Sequence, residues 1–216
     1  ESVSKPSTIT LKGKHKIAAV LAAIRKQTGN NVQLAGDAPG ELEDRDVETD
    51  WDQAEFWTVI GDIGAKAGIF HDQFAGEQGQ LVFGGPGSGR AVLPCRTSSS
   101  VLLLELLRAD AARNFENPQT NATLLRLRVS WEPRLNPIAL RLPMSTVAII
   151  DEFDGEYQAG TPEQVAGIMI QPEFSQSEMA LALPLFDRGV ESLKSISGTF
   201  EMTVPGRIET FEFEGL

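Results

Sequence analysis

Gly84-Gly85-Pro86-Gly87-Ser88-Gly89 divides the chain and limits what either side of it can become. Glycine multiplies the backbone states open to a free chain and proline cannot donate to a ladder, so neither a helix nor a central strand runs through this stretch. The hydrophobic period changes across it as well, from a mixture of 3.6 and 2 before it to almost uniformly 2 after it. Together these features predict an α+β unit over residues 1–84, a Gly/Pro/Ser linker at 85–90 and an all-β unit over 91–216.

In the first unit Ile9 and Leu11 share one face of an extended run, which Gly13 is expected to break. Ile17, Val20, Leu21 and Ile24 then recur at helical spacing; Arg25 and Lys26 fall where cations meet the negative end of the helix dipole, and Gly29 supplies a left-handed stop. Asn31-Val32-Gln33-Leu34 alternates like a half-buried strand, residues 36–40 read as a turn, and another strand is expected from Leu42 to Val47. Asp50 with Gln53 three residues on makes a capping pair, so a second helix is expected to start there, with Phe56, Val59, Ile60, Ile63 and Ala67 as its apolar face. Gly61 and Gly64 inside it each cost about 1 kcal/mol relative to alanine, which implies a neighbour packed closely against them.

The run Ile9-Thr10-Leu11, Ile17 to Leu21, Gln27-Thr28-Gly29-Asn30-Asn31-Val32, Thr49-Asp50-Trp51-Asp52-Gln53-Ala54 and Gly68-Ile69 resembles the short N-terminal domain shared by secretins and TonB-dependent receptors. The pattern in that family is a strand, a helix closing on "QTG", a strand, a "tWdqAL" helix start and a terminal "Gl" before a last hairpin. Glu55 departs from the usual leucine, and the loop before Glu41 is longer and more acidic. The resemblance covers roughly a third of the chain and consists of packing and turn residues, so it transfers no catalytic group. It implies a small sheet with two helices, located in the periplasm and used for protein contacts.

After the linker, Leu125, Leu127, Val129 and Trp131 alternate with Arg126, Arg128 and Ser130. Met179, Leu181, Leu183 and Leu185 repeat the pattern, as do Phe200, Met202 and Val204, and then Phe211 and Phe213. Short period-two runs separated by Asn, Gly, Pro and Asp clusters predict an antiparallel β-sandwich of immunoglobulin-like type. Val101 to Ala112 fits either a helix or a strand. A central strand covered on both faces is preferred, because leucines occupy both of its parities.

Two segments of this half carry chemistry worth weighing. In Trp131-Glu132-Pro133-Arg134-Leu135-Asn136-Pro137 the prolines end a strand, and Trp131 with Arg134 makes a candidate anchor for a partner; the competing reading is a buried Trp131 and an Arg134–Glu132 pair at a corner. Asp151-Glu152-Phe153-Asp154-Gly155-Glu156 offers oxygen ligands for calcium but lacks the spacing of a helix-loop-helix calcium loop, and Asp154-Gly155 reads instead as a tight hairpin turn.

Composition narrows the function classes. A formal charge of −11 disfavours nucleic acid and acidic membranes, because binding a polyanion depends on lysine and arginine neutralising phosphates. The single Cys95 rules out an internal disulfide and is expected to be structural. His15 and His71 are expected as loop residues, and Asn121-Ala122-Thr123 as a chance match to a glycosylation acceptor. No nucleophile elbow, phosphate loop or dinucleotide fingerprint is present. The expectation is therefore a non-enzymatic, extracytoplasmic interaction or assembly protein, exported by a leader since removed, that binds a protein partner in the cell envelope. No catalytic residue, cofactor or metal ligand is assigned. Partner contacts are expected at the strand edge Val32, Gln33 and Leu34 and at Trp131 with Arg134. The alternatives are a sandwich that binds a glycan or a metal, which an exposed aromatic platform at Trp131 or Tyr157 would favour, and an unrecognised hydrolase.

Overall fold

The computed structural model describes residues 5–36, 40–71, 79–85, 95–171, 173–186 and 188–206. The glycine-rich boundary from Pro86 to Arg90 and the expected strand at Phe211 and Phe213 lie outside them.

The N-terminal region runs β1 (Thr8–Lys16), α1 (Ile17–Thr28), β2 (Asn31–Leu34), a single turn α2 (Gly40–Glu43), β3 (Asp46–Glu55), α3 (Phe56–Ala67), β4 (Phe70–His71) and β5 (Gln80–Gly84). Helix α1 follows its sequence signals. Ile17, Val20, Leu21 and Ile24 are buried, and Gly29 at φ 72° turns its amide back to the Arg25 carbonyl at 3.0 Å. Burial of each such side chain is worth roughly 1.5–3 kcal/mol relative to exposure.

Three local expectations are corrected. Strand β1 passes through Gly13 rather than ending there, since glycine tolerates the φ of 105° it adopts in mid-strand. Leu42 belongs to the turn α2, where it is 1% exposed, and does not open a strand. The expected helix start at Asp50 is the middle of β3, whose Val47, Thr49 and Trp51 point inward while Glu48, Asp50 and Asp52 point outward. The period of two overrides the capping pair because all three inward residues, threonine included, find buried places on the sheet. Gln53 is not a cap but a bulge. It has φ 52°, and its amide bonds Thr10 Oγ1 at 3.0 Å where the β1–β3 register shifts.

Helix α3 therefore begins at Phe56, whose amide is taken by the Ser7 carbonyl at 2.9 Å. The close packing expected at its glycines is present against backbone at Gly64 and only against the end of a side chain at Gly61. A Cβ on Gly64 would lie 3.3 Å from the Ile69 carbonyl, and one on Gly61 would lie 3.0 Å from the Arg96 guanidinium. Strands β1 and β3 pair antiparallel, while β5 sits between β2, to which it runs parallel, and β4.

The C-terminal region is mainly antiparallel β: β6 (Arg96–Ser99), β7 (Leu102–Ala112), β8 (Ala122–Trp131), β9 (Ala139–Pro143), β10 (Ala148–Asp151), β11 (Glu156–Gln158), β12 (Val165–Ile168), β13 (Gln176–Pro184), β14 (Leu193–Ser197) and β15 (Glu201–Thr203). They form sheets ordered β13-β8-β7-β6, β12-β9-β15 and β11-β10-β14 around one apolar cluster that includes Leu125, Val129, Trp131, Leu140, Ile149 and Leu181. The leucine-rich run is the strand β7, and its two parities serve two cores. Leu102, Leu104 and Leu106 pack into this cluster, whereas Leu103 packs against the core of the N-terminal region. The sheet β13-β8-β7-β6 is thus the wall shared by the two halves.

Candidate functional site

The strand β8 delivers Trp131 and Glu132 to the boundary between the regions. Trp131, 2% exposed, fills the C-terminal core, so it does not stand on the surface as a partner anchor. Pleat alternation turns the next residue the other way. Glu132 is fully buried, and its amide bonds the Val101 carbonyl at 3.1 Å. Its carboxylate receives donors from both regions. Ser7 gives its amide to Oε1 at 2.8 Å and its hydroxyl to Oε2 at 2.7 Å; Asn30 Nδ2 reaches Oε2 at 3.2 Å and Arg134 Nε at 2.5 Å.

Each donor is positioned by an element already described. Ser7 lies just before β1. Asn30 follows the glycine stop of α1 and is itself fully buried, with its amide held by Thr28 Oγ1 at 3.1 Å. Arg134 is turned inward as well; its Nη2 bonds the Lys5 carbonyl at 2.7 Å and its amide bonds Asn30 Oδ1 at 2.9 Å. A second tie lies one strand away, where Trp57 of α3 donates Nε1 to the Val101 carbonyl at 2.9 Å. The Trp131–Arg134 corner thus has a partner, and it is the protein's own N-terminal region. The residues that sequence reasoning left aside here are Ser7, Asn30 and Trp57.

The other predicted contact, β2, stands at the edge of its sheet, bonded to β5 on one side. Val32 is buried, Gln33 and Leu34 are half-buried, and Gln33 Nε2 bonds Gln80 Oε1 at 2.6 Å. The Ala35 amide points to β5, bonding the Phe83 carbonyl at 2.8 Å. Because successive residues of a strand alternate direction, the amides of Val32 and Leu34 point away from β5, where no strand pairs with β2 among the described residues.

A cleft of about 420 Å³ lies between α3 and β6, lined by Trp57, Gly61, Asp62, Arg96, Ser98 and Leu103 among others. Its carboxylate is already engaged. Asp62 accepts Trp51 Nε1 at 2.8 Å and Lys66 Nζ at 2.7 Å. Behind it, register aligns Arg96, Glu105, Arg128 and Glu178 across four strands in alternating charge, with Arg128 Nη2 at 3.0 Å from Glu178 and Nη1 at 3.5 Å from Glu105.

In the acidic segment that joins β10 to β11, Asp151, Glu152 and Asp154 are each engaged by the fold. Asp151, 3% exposed, accepts the Phe153 amide at 2.8 Å, the Gly155 amide at 2.7 Å and the Tyr157 hydroxyl at 2.8 Å. Burial pushes its carboxyl up, but the bonds from Gly155, Tyr157 and Phe153 outweigh it and hold the group below the usual aspartate range. Asp154, at φ 62°, pairs with Lys194 at 2.5 Å. Glu152 accepts the Ser192 hydroxyl and the Glu191 amide, which lower its pKa. The oxygens that a calcium ion would need to share thus face separate donors. Tyr157 is half-buried and packs edge-on against Phe186 at 5.0 Å, whereas Trp131 is buried and offers no aromatic face to a sugar ring.

Among the described residues no group of three or more His, Cys, Asp or Glu gathers as a metal site, and no helix is long and apolar enough to cross a membrane. No protein-family model, curated protein or solved structure gives a significant match to the chain.

Proposed function

We propose that this chain is a non-enzymatic cell-envelope protein whose N-terminal region docks or assembles with a protein partner, and that it does so by adding a partner strand to β2. The observation that carries this reading is the position of β2 at a sheet edge, with the amides of Val32 and Leu34 directed away from β5. An open strand edge supplies main-chain hydrogen bonds to any extended segment of suitable register. The strand-helix-strand order, with α1 closing on Gln27-Thr28-Gly29, supports a divergent relationship to the secretin and TonB-receptor N-terminal domain. The Trp51-Asp52-Gln53-Ala54 motif ends a strand that leads into α3. We read the C-terminal sheets as an immunoglobulin-like sandwich that carries this module, and the net charge of −11 favours a protein partner over a polyanion.

Leu34→Pro tests the site. It removes an amide on the open side while Gln33 and Ala35 keep theirs toward β5. A photo-crosslinker at Gln33, used in envelope extracts, should form one dominant adduct that Leu34→Pro abolishes while the thermal midpoint stays within a few degrees. An adduct unaffected by the proline would remove β2 as the docking edge.

A further inference from the structure

The geometry points to Glu132 as a latch that fixes the angle between the two regions, so that they behave as one cooperative body rather than two beads on a glycine linker. A carboxylate with no exposed surface is strongly destabilising unless donors surround it. Here the donors come from Ser7 and Asn30 of one region and from Arg134 of the other, across separations of 125, 102 and 2 residues. If the regions parted, Glu132 would lose Ser7 and Asn30 together, and Asn30 would lose Arg134. The network therefore breaks as a unit, and hydrogen bonds to an ionised group are the stronger kind.

Apolar contact reinforces the latch, since Leu103 of β7 packs into the N-terminal core while its neighbours Leu102 and Leu104 pack into the other. Trp57 closes the far side on the Val101 carbonyl, next to the carbonyl's own bond from Glu132. The short segment Lys5–Ser7 acts as a strap: Arg134 holds the Lys5 carbonyl, Glu132 holds Ser7, and the Ser7 carbonyl in turn starts α3 through Phe56. A disturbance at the latch is thereby passed to the first turn of a helix. This inference stands apart from the docking reading, and it is tested without any partner.

Two measurements on the full chain decide it. With spin labels at Lys26→Cys and Ser195→Cys in a Cys95→Ser background, all exposed positions, the parent should give one narrow distance distribution. Glu132→Ala should broaden it at least twofold. A broad distribution in the parent, or an unchanged one in Glu132→Ala, would overturn the latch. Should Glu132→Ala fail to fold, the isosteric Glu132→Gln with Asn30→Ala serves in urea denaturation. The two together are expected to change the unfolding constant by a factor that differs roughly threefold or more from the product of the single effects. Effects that simply multiply would mean the carboxylate and the asparagine are not coupled.

Discussion

The two regions bury their chains in different ways. In the N-terminal one, α1 and α3 carry wide apolar stripes, and its core residues include Ile9, Ile17, Ile24, Phe56, Val59 and Ile63, all fully buried. The C-terminal one is built from three small sheets, and every large apolar side chain exposed among the described residues belongs to it, including Phe115 at 86%, Met169 at 76% and Phe153 at 70%. Its loops include polar devices such as the Asp151 turn. A helix can close a core with one stripe, whereas short strands need many connections whose amides must each find a partner. The lesson is that the β region depends more on specific hydrogen bonds and gains most from being fastened to its neighbour.

The strongest challenge to this contrast is Trp131→Ala. Truncating a buried tryptophan costs about 3–5 kcal/mol. Although Trp131 sits in the C-terminal core, the helical signal of the N-terminal region should melt at the same lowered midpoint by circular dichroism. A helical signal that keeps its parent midpoint would show the halves to be independent.

Trp57→Phe removes the indole bond to Val101 together with part of a buried ring, and should cost more than the roughly 1 kcal/mol of the bond alone in denaturant unfolding. An equal effect with and without Glu132→Gln would separate this tie from the carboxylate network. Next come the α3 glycines. Gly64→Ala must displace the Ile69 carbonyl and should be neutral or destabilising despite the gain of up to about 1 kcal/mol in helix propensity. Gly61→Ala meets only the far end of the exposed Arg96 side chain, which can swing aside, and should stabilise. Paired thermal melts check the ordering, and a reversed order would contradict the packing described for α3.

The smallest effect concerns acid. Asp151 has a folded-state pKa below its unfolded value, so its contribution is present above about pH 4 and is lost as pH falls through the folded value. Asp151→Asn should lower stability at neutral pH and flatten the acid limb below pH 4. An unchanged acid limb would show that the turn does not need the charge.

Much of the architecture was legible in the sequence. The stripe of α1, its glycine stop, the leucine strand β7 and the alternation of β8 and β13 are all local patterns that tertiary contacts reinforce. Residues 46–55 misled because Asp50 and Gln53 mimic a helix start, while the competing alternation of Val47, Thr49 and Trp51 includes a threonine and so reads weakly as a buried face. The corner Trp131–Arg134 stood out as unusual, but its partners did not. Ser7 and Asn30 lie more than a hundred residues away, and no local period encodes a contact of that range.

Scanning calorimetry of the unmodified chain tests the union of the two regions most directly. One transition is predicted, with calorimetric and van't Hoff enthalpies equal within error. Two resolved transitions, one carrying the helical signal and the other not, would contradict it.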